Sequence, residues 1–183
     1  MFFGLSGLLA QEVISYYPSS YYNRDFIVEV SYNKIGKYML HLEIESLDSR
    51  CSFAGLRISE IAVDSVLANL HKAKTIYREL KSSAQRNNTL SLSQKLDVNT
   101  KVVGAYFKQR GKEYIDHAVK PKFSFEVETR NGRALYLLKM KSGRMISPIF
   151  EHIQCTGAEI VFSSEAEIDK FIDAITIKDQ YHI

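Results

Sequence analysis

The chain has 183 residues, 45% of them hydrophobic and 25% charged, with a formal net charge of +3, the proportions of an ordinary soluble globular protein. That length accommodates one large domain or two small ones, with a core that needs neither disulfides nor metal. Three prolines and nine glycines exclude long collagenous or disordered stretches, and no apolar run approaches the roughly 20 residues of a membrane helix.

Met1 to Ala10 is apolar, but no Lys or Arg precedes it and Gln11 and Glu12 interrupt it, unlike a secretory signal. Residues 1–24 therefore read as an arm, with Tyr16, Tyr17, Tyr21 and Tyr22 around Pro18 in an extended connection. An arm that docks a protein partner or a second subunit through residues 1–15 and an arm that covers this chain's own core fit equally well.

Asp25 to Tyr32 and Lys37 to Glu45 alternate apolar and polar residues, the pattern of half-buried strands. A third strand is expected over Cys51 to Leu56. Val63, Val66, Leu67, Leu70, Ala73, Tyr77 and Leu80 then recur at three and four, which marks an amphipathic helix from Ser59 to about Lys81. Residues 25–82 make a first sheet-plus-helix unit. The polar run from Ser82 to Ser93 reads as linker. Val98 to Val119 admits either a short helix around Lys108 to His117 or an extended crossover, so residues 83–119 are assigned as connection. A second unit, residues 120–183, begins with Lys122 to Thr129 and Arg133 to Lys141, joined by Asn131-Gly132, a strong type I′ hairpin signal. Short strands over Met145 to Cys155 and Ala158 to Phe162 follow, with Pro148 at an edge or bulge. The capping box Ser164 to Glu167 opens a closing helix.

The two units align. Phe26, Val28, Glu29 and Val30 lie over Phe123, Phe125, Glu126 and Val127, and Gly36, Leu42 and Ser46 over Gly132, Leu138 and Ser142. The expected fold is α+β: two related antiparallel β-sheet-plus-helix (ββββα-like) units forming a pseudo-dimer, each closing what the other leaves open. The copies differ in sign, because Glu43 and Glu45 fall over Lys139 and Lys141. Between Lys95 and Arg144 stand 12 basic and 5 acidic residues, a net of +7, against −4 in the rest of the chain. Cations on a sheet face suit the phosphates of a single strand, and nearby rings suit its bases. Lys120, Lys122, Arg130, Arg133, Lys139, Lys141 and Arg144 are the candidate phosphate contacts, and Phe107 and Tyr136 the candidate stacking rings. Two blander readings stay open: a solvated basic face, or a basic second unit docked on the acidic first.

A curved sheet followed by one helix, twice over Asp25 to Lys81 and Lys120 to Lys178, resembles the PUR-repeat and Whirly-like single-stranded nucleic-acid-binding families. The resemblance implies intertwined repeats with crossing helices, concave sheets that bind single-stranded DNA or RNA, and no catalysis.

Chemistry otherwise has little foothold. His41, His71, His117, His152 and His182 show no metal spacing, and no glycine-rich phosphate loop is present. His152 and Cys155 would need a third, orienting group to act as a nucleophile pair. Glu165, Glu167, Asp169 and Asp173 fit a helix N-terminus. Cys51 and Cys155 are far apart in sequence and fit reduced, buried thiols of a cytoplasmic or nuclear compartment. The expected protein is thus a non-enzyme without cofactor or metal that binds single-stranded DNA or RNA in transcription, replication or RNA handling, as a homo-oligomer or alone and away from membranes. The alternative is a scaffold that binds proteins through its arm and sheet edges.

Overall fold

The computed structural model of the chain describes residues 11–176. The apolar segment Met1 to Ala10, and the C-terminal residues with His182, lie outside the described residues.

The first four strands form an antiparallel meander: β1 (Glu12–Ser19), β2 (Arg24–Tyr32), β3 (Tyr38–Ser46) and β4 (Cys51–Ser59). Register places Val28 opposite Leu42 and Leu42 opposite Leu56. The period of two then sends Phe26, Val28, Leu40, Leu42, Leu56 and Ile58 to one buried face. The tyrosine-rich stretch read as an extended connection is β1 and its turn into β2, and so belongs to the sheet. Tyr17 is wholly buried against Phe26 and against Phe171.

Helix α1 (Glu60–Arg86) follows at once. It runs five residues beyond Lys81, because Ala84 keeps the buried stripe of Val63, Leu70, Ala73 and Tyr77 going. Asn88, at φ +51, ends it. Ser59 sits at the N-cap but makes no side-chain capping bond.

A second meander joins β5 (Leu92–Lys95), β8 (Lys122–Arg130), β9 (Arg133–Lys141) and β12 (Ala158–Phe162), and ends in α2 (Glu165–Ile175). Asn131 and Gly132 both have positive φ, +52 and +74, as the type I′ turn demands. Two hairpins are inserted. The first, β6 (Val103–Gln109) and β7 (Lys112–Val119), turns at Arg110-Gly111 and adds to the free edge of β4. The second pairs β10 (Met145–Ile146) with β11 (Gln154–Cys155), and Pro148 lies in the loop between them. Residues 83–119 are thus no linker: they hold the end of α1 and three strands, and Lys108 to His117 is a hairpin, not a helix.

The result is mixed α+β, a large antiparallel sheet of ten strands with two helices. The two meanders meet on one edge of β3, where β2 pairs with Tyr38 to Leu42 and β12 pairs with Glu45 and Ser46. Each helix touches strands of both meanders. The Tyr77 hydroxyl on α1 donates to the carbonyls of Tyr136 (3.0 Å) and Ser163 (3.1 Å). On α2, Phe171 meets the Tyr17 ring of β1 edge-on at 4.7 Å, while Glu167 accepts from the backbone N–H groups of Ser20 and Ser163. Salt bridges Lys74–Asp169 and Arg78–Glu165 tie the helices together. These bonds, with the dipole at the start of α2, account for Glu165, Glu167 and Asp169 without acid–base work.

Candidate nucleic-acid interface

Strands β8 and β9 turn alternate residues to opposite faces. Phe123, Phe125, Val127, Leu138 and Met140 are buried on the helix side. The other face carries Lys122, Glu126, Glu128 and Arg130 from β8, and Arg133, Leu135, Leu137, Lys139 and Lys141 from β9. Register sets Lys122 opposite Lys141 at one end and Arg130 opposite Arg133 at the other. Five of the expected phosphate contacts therefore do share one surface.

Two of them are already occupied. The Lys139 ammonium lies 2.7 Å from Glu128 and 2.9 Å from Glu126, with 8% of its side chain exposed. Lys141 donates to Glu126 at 2.6 Å. Burial alone would raise the Glu126 pKa, but the hydrogen bonds from Lys141 and Lys139 outweigh it and hold the carboxyl at about 2. Burial likewise opposes the charge on Lys139, and the bonds to Glu128 and Glu126 more than compensate, raising its pKa. The first meander makes the same cross-strand contact with the signs exchanged: Arg24 of β2 pairs with Glu43 and Glu45 of β3. The opposite charges at these positions of β3 and β9 are thus each met by partners within the same meander. Lys139 is sealed within this ion cluster, while the Lys141 side chain, 40% exposed, shares Glu126 with it.

The β1–β2 turn lies over this cluster. The Tyr21 hydroxyl donates to Glu128 at 3.0 Å, and that of Tyr22 to Glu159 at 2.7 Å. Both phenols have raised pKa values, first through burial and then through those carboxylates. The Tyr21 ring centre is 5.4 Å from the Arg130 guanidinium and from the Lys139 ammonium, within cation–π range.

The remaining candidates divide. Arg130, Arg133 and Lys122 are exposed and have no ion pair among the described residues. Lys120 leaves the sheet and lies 3.4 Å from the Asn99 side chain. With Lys95 and Lys122 it lines a cleft of about 600 Å³. Arg144 is exposed in the turn after β9, off the face. The two ring assignments are corrected. Phe107 is fully buried in the core, so no base can reach it. Tyr136 projects to the helix side, half-buried against the core. Sequence reasoning missed Lys95, which register places beside Ser124 on the cationic face, and Tyr21. The alternation of Leu90 and Leu92 in the run taken as linker was the available signal for Lys95. Nothing local announced Tyr21.

His41 is buried between the Gln11 amide (3.0 Å) and the Ser31 hydroxyl (2.8 Å), and burial, then the Arg57 charge, lower its pKa to about 4. His152 stacks edge-on against Phe150. Cys155 instead adjoins Cys51: their sulfurs and an Asp48 oxygen all lie within 4.8 Å of one another. No helix among the described residues is long and apolar enough to cross a membrane. No protein-family model, curated protein or solved structure matches the chain.

Proposed function

We propose that this chain is a non-catalytic single-stranded nucleic-acid-binding protein, a pseudo-dimer of two related ββββα units that binds on the outer face of β8 and β9. The single observation that carries the reading is the placement of unpaired cations at both ends of one sheet face: Arg130 and Arg133 with Tyr21 at one end, Lys122 and Lys95 at the other. The two cationic ends lie about 26 Å apart along the nine residues of β8, at about 3.3 Å per residue, with the β1–β2 turn and the buried Leu137 between them. In this reading the cations release counterions from the phosphates. Tyr21, beside Arg130 at the same end, is the ring placed nearest to a base. The pseudo-dimer rests on the recurrence of four paired strands followed by a helix, and on helices that each pack on both meanders.

Fluorescence anisotropy with labelled oligothymidylate and oligouridylate tests it. Affinity should fall steeply between 50 and 200 mM salt, by roughly tenfold or more for a few phosphate contacts. Arg130→Glu with Arg133→Glu should abolish binding while the far-UV spectrum stays native. Absence of binding at low salt overturns the reading.

A second reading, assembly with another protein, is favoured by Ile149 and Phe150, 79% and 48% exposed beside the edge strand β7. Deleting residues 1–10 is its cleaner test, because a cut at 15 would remove half of β1. Unchanged partner capture and oligomeric state in both that deletion and Phe150→Ser would remove this reading.

A further inference from the structure

Two cysteines that the sequence keeps far apart are brought together where the meanders join. Cys51 opens β4, immediately after the β3–β4 turn, and Cys155 closes β11. Both are free, buried thiols. The segments bearing them are bound together just before Cys51 and just after Cys155: the Leu47 N–H donates to the Gly157 carbonyl (2.9 Å), and the Thr156 N–H to Asp48 Oδ2 (2.9 Å). These contacts hold the two cysteine-bearing segments side by side, with the sulfurs within 4.8 Å of each other.

The third member of the cluster is not available to a metal. Asp48 Oδ1 accepts from the Arg50 backbone N–H and from Arg50 Nε, and Oδ2 from the second Arg50 nitrogen and from Thr156. Both carboxylate oxygens are saturated, and only two sulfur donors remain where structural zinc needs four ligands. Two thiols within reach of each other, with no third free donor among the described residues, are placed to form a disulfide.

We propose that Cys51 and Cys155 constitute a reversible dithiol–disulfide site, oxidised by a small-molecule disulfide, that staples the first meander to the β11–β12 loop. Cys51, at 6% exposure against none for Cys155, is the sulfur the oxidant reaches first. Its thiolate attacks one sulfur of the oxidant R–S–S–R. A protein–oxidant S–S bond forms, the oxidant's own S–S bond breaks, and one RS⁻ leaves. The Cys155 thiolate then attacks the Cys51 sulfur and expels the second RS⁻. The two protein thiols lose two protons and two electrons, and the oxidant departs as two RSH. Excess thiol reverses both steps.

The test uses the full chain with oxidised glutathione as the probe, followed by denaturation, alkylation and peptide mass spectrometry. The expected product is a monomer carrying a Cys51–Cys155 cross-linked peptide, lost on treatment with dithiothreitol. Burial, then the neighbouring Cys155 and Asp48, push the Cys51 thiol up to about 12, so the rate should climb about tenfold per pH unit between 7 and 9. Cys155→Ser should arrest the reaction at a glutathione adduct on Cys51. Full alkylation of both thiols after prolonged oxidation at pH 9 overturns the proposal. A stable adduct on the unaltered chain, or a cross-link between two chains, does so equally.

Discussion

Lys139 offers the sharpest test of how this sheet manages its charge, through Lys139→Met. The substitution keeps an unbranched apolar stem of similar length and removes the ammonium held between Glu126 and Glu128. The Glu126 carboxyl is displaced from an ordinary 4.5 to about 2, which corresponds to about 3 kcal/mol of folding free energy at neutral pH. Lys141 supplies part of that and survives the change. The relief of no longer burying an ammonium offsets a further part. The expected net loss is about 2 kcal/mol, a fall of about 1 M in the urea midpoint at a typical slope. Because the folded-state pKa is depressed, this stability is fully present above pH 4.5 and is lost as pH falls through about 2. The gap between variant and parent in urea melts followed by circular dichroism should therefore shrink by more than half from pH 7 to pH 3. Equal midpoints at pH 7, or a gap that ignores pH, would refute the reasoning. Lys141→Met removes a side chain that is 40% exposed and should cost less than about 1 kcal/mol. Lys139→Glu with Lys141→Glu, which copies the first unit's residues without its Arg24 partner, should unfold the chain.

Other positions follow from close approach and from unsatisfied polarity. The Tyr106 ring lies over Gly55, where an added Cβ would collide with its Cζ, Cε1 and hydroxyl; Gly55→Ala should cost about 1–3 kcal/mol, and the same substitution made in a Tyr106→Ala background should cost almost nothing further in thermal melts. Arg57 Nε is buried without a hydrogen-bond partner among the described residues, and Arg57→Met should leave stability unchanged or raise it. The same variant should raise the His41 pKa above its value of about 4, since the Arg57 charge is the second cause of its depression; imidazole proton shifts followed by NMR would show no movement if that coupling were absent.

The strands of the two meanders were legible wherever one face is buried and the other wet, because such a strand must alternate. Asp25 to Tyr32 and Lys122 to Thr129 do so, and Asn131-Gly132 carries the one dipeptide whose chemistry names its turn. The β6–β7 hairpin was not legible. Tyr106 and Phe107 point to opposite faces and both are buried, so alternation vanishes. Arg110-Gly111 reaches the same pair of positive φ values, +53 and +74, without the usual Asn or Asp. The cationic face was legible as a block of charge and illegible in its parts. Counting charges along the chain cannot tell Arg133, exposed and unpaired, from Lys139, whose partners are eleven and thirteen residues away on the neighbouring strand.

Local periodicity by itself determined that this chain would be strands with two amphipathic helices, since hydrophobic spacing depends on nothing beyond a few neighbouring residues. The sequence by itself also determined the block of positive charge between Lys95 and Arg144. Only the tertiary structure decided which cations are neutralised, which rings are sealed in the core, and that Cys51 and Cys155 become neighbours. Those outcomes depend on strand register and on the edge of β3 that β2 and β12 share. They are contacts between segments distant in sequence, whose loop-closure entropy is repaid only when the whole sheet assembles.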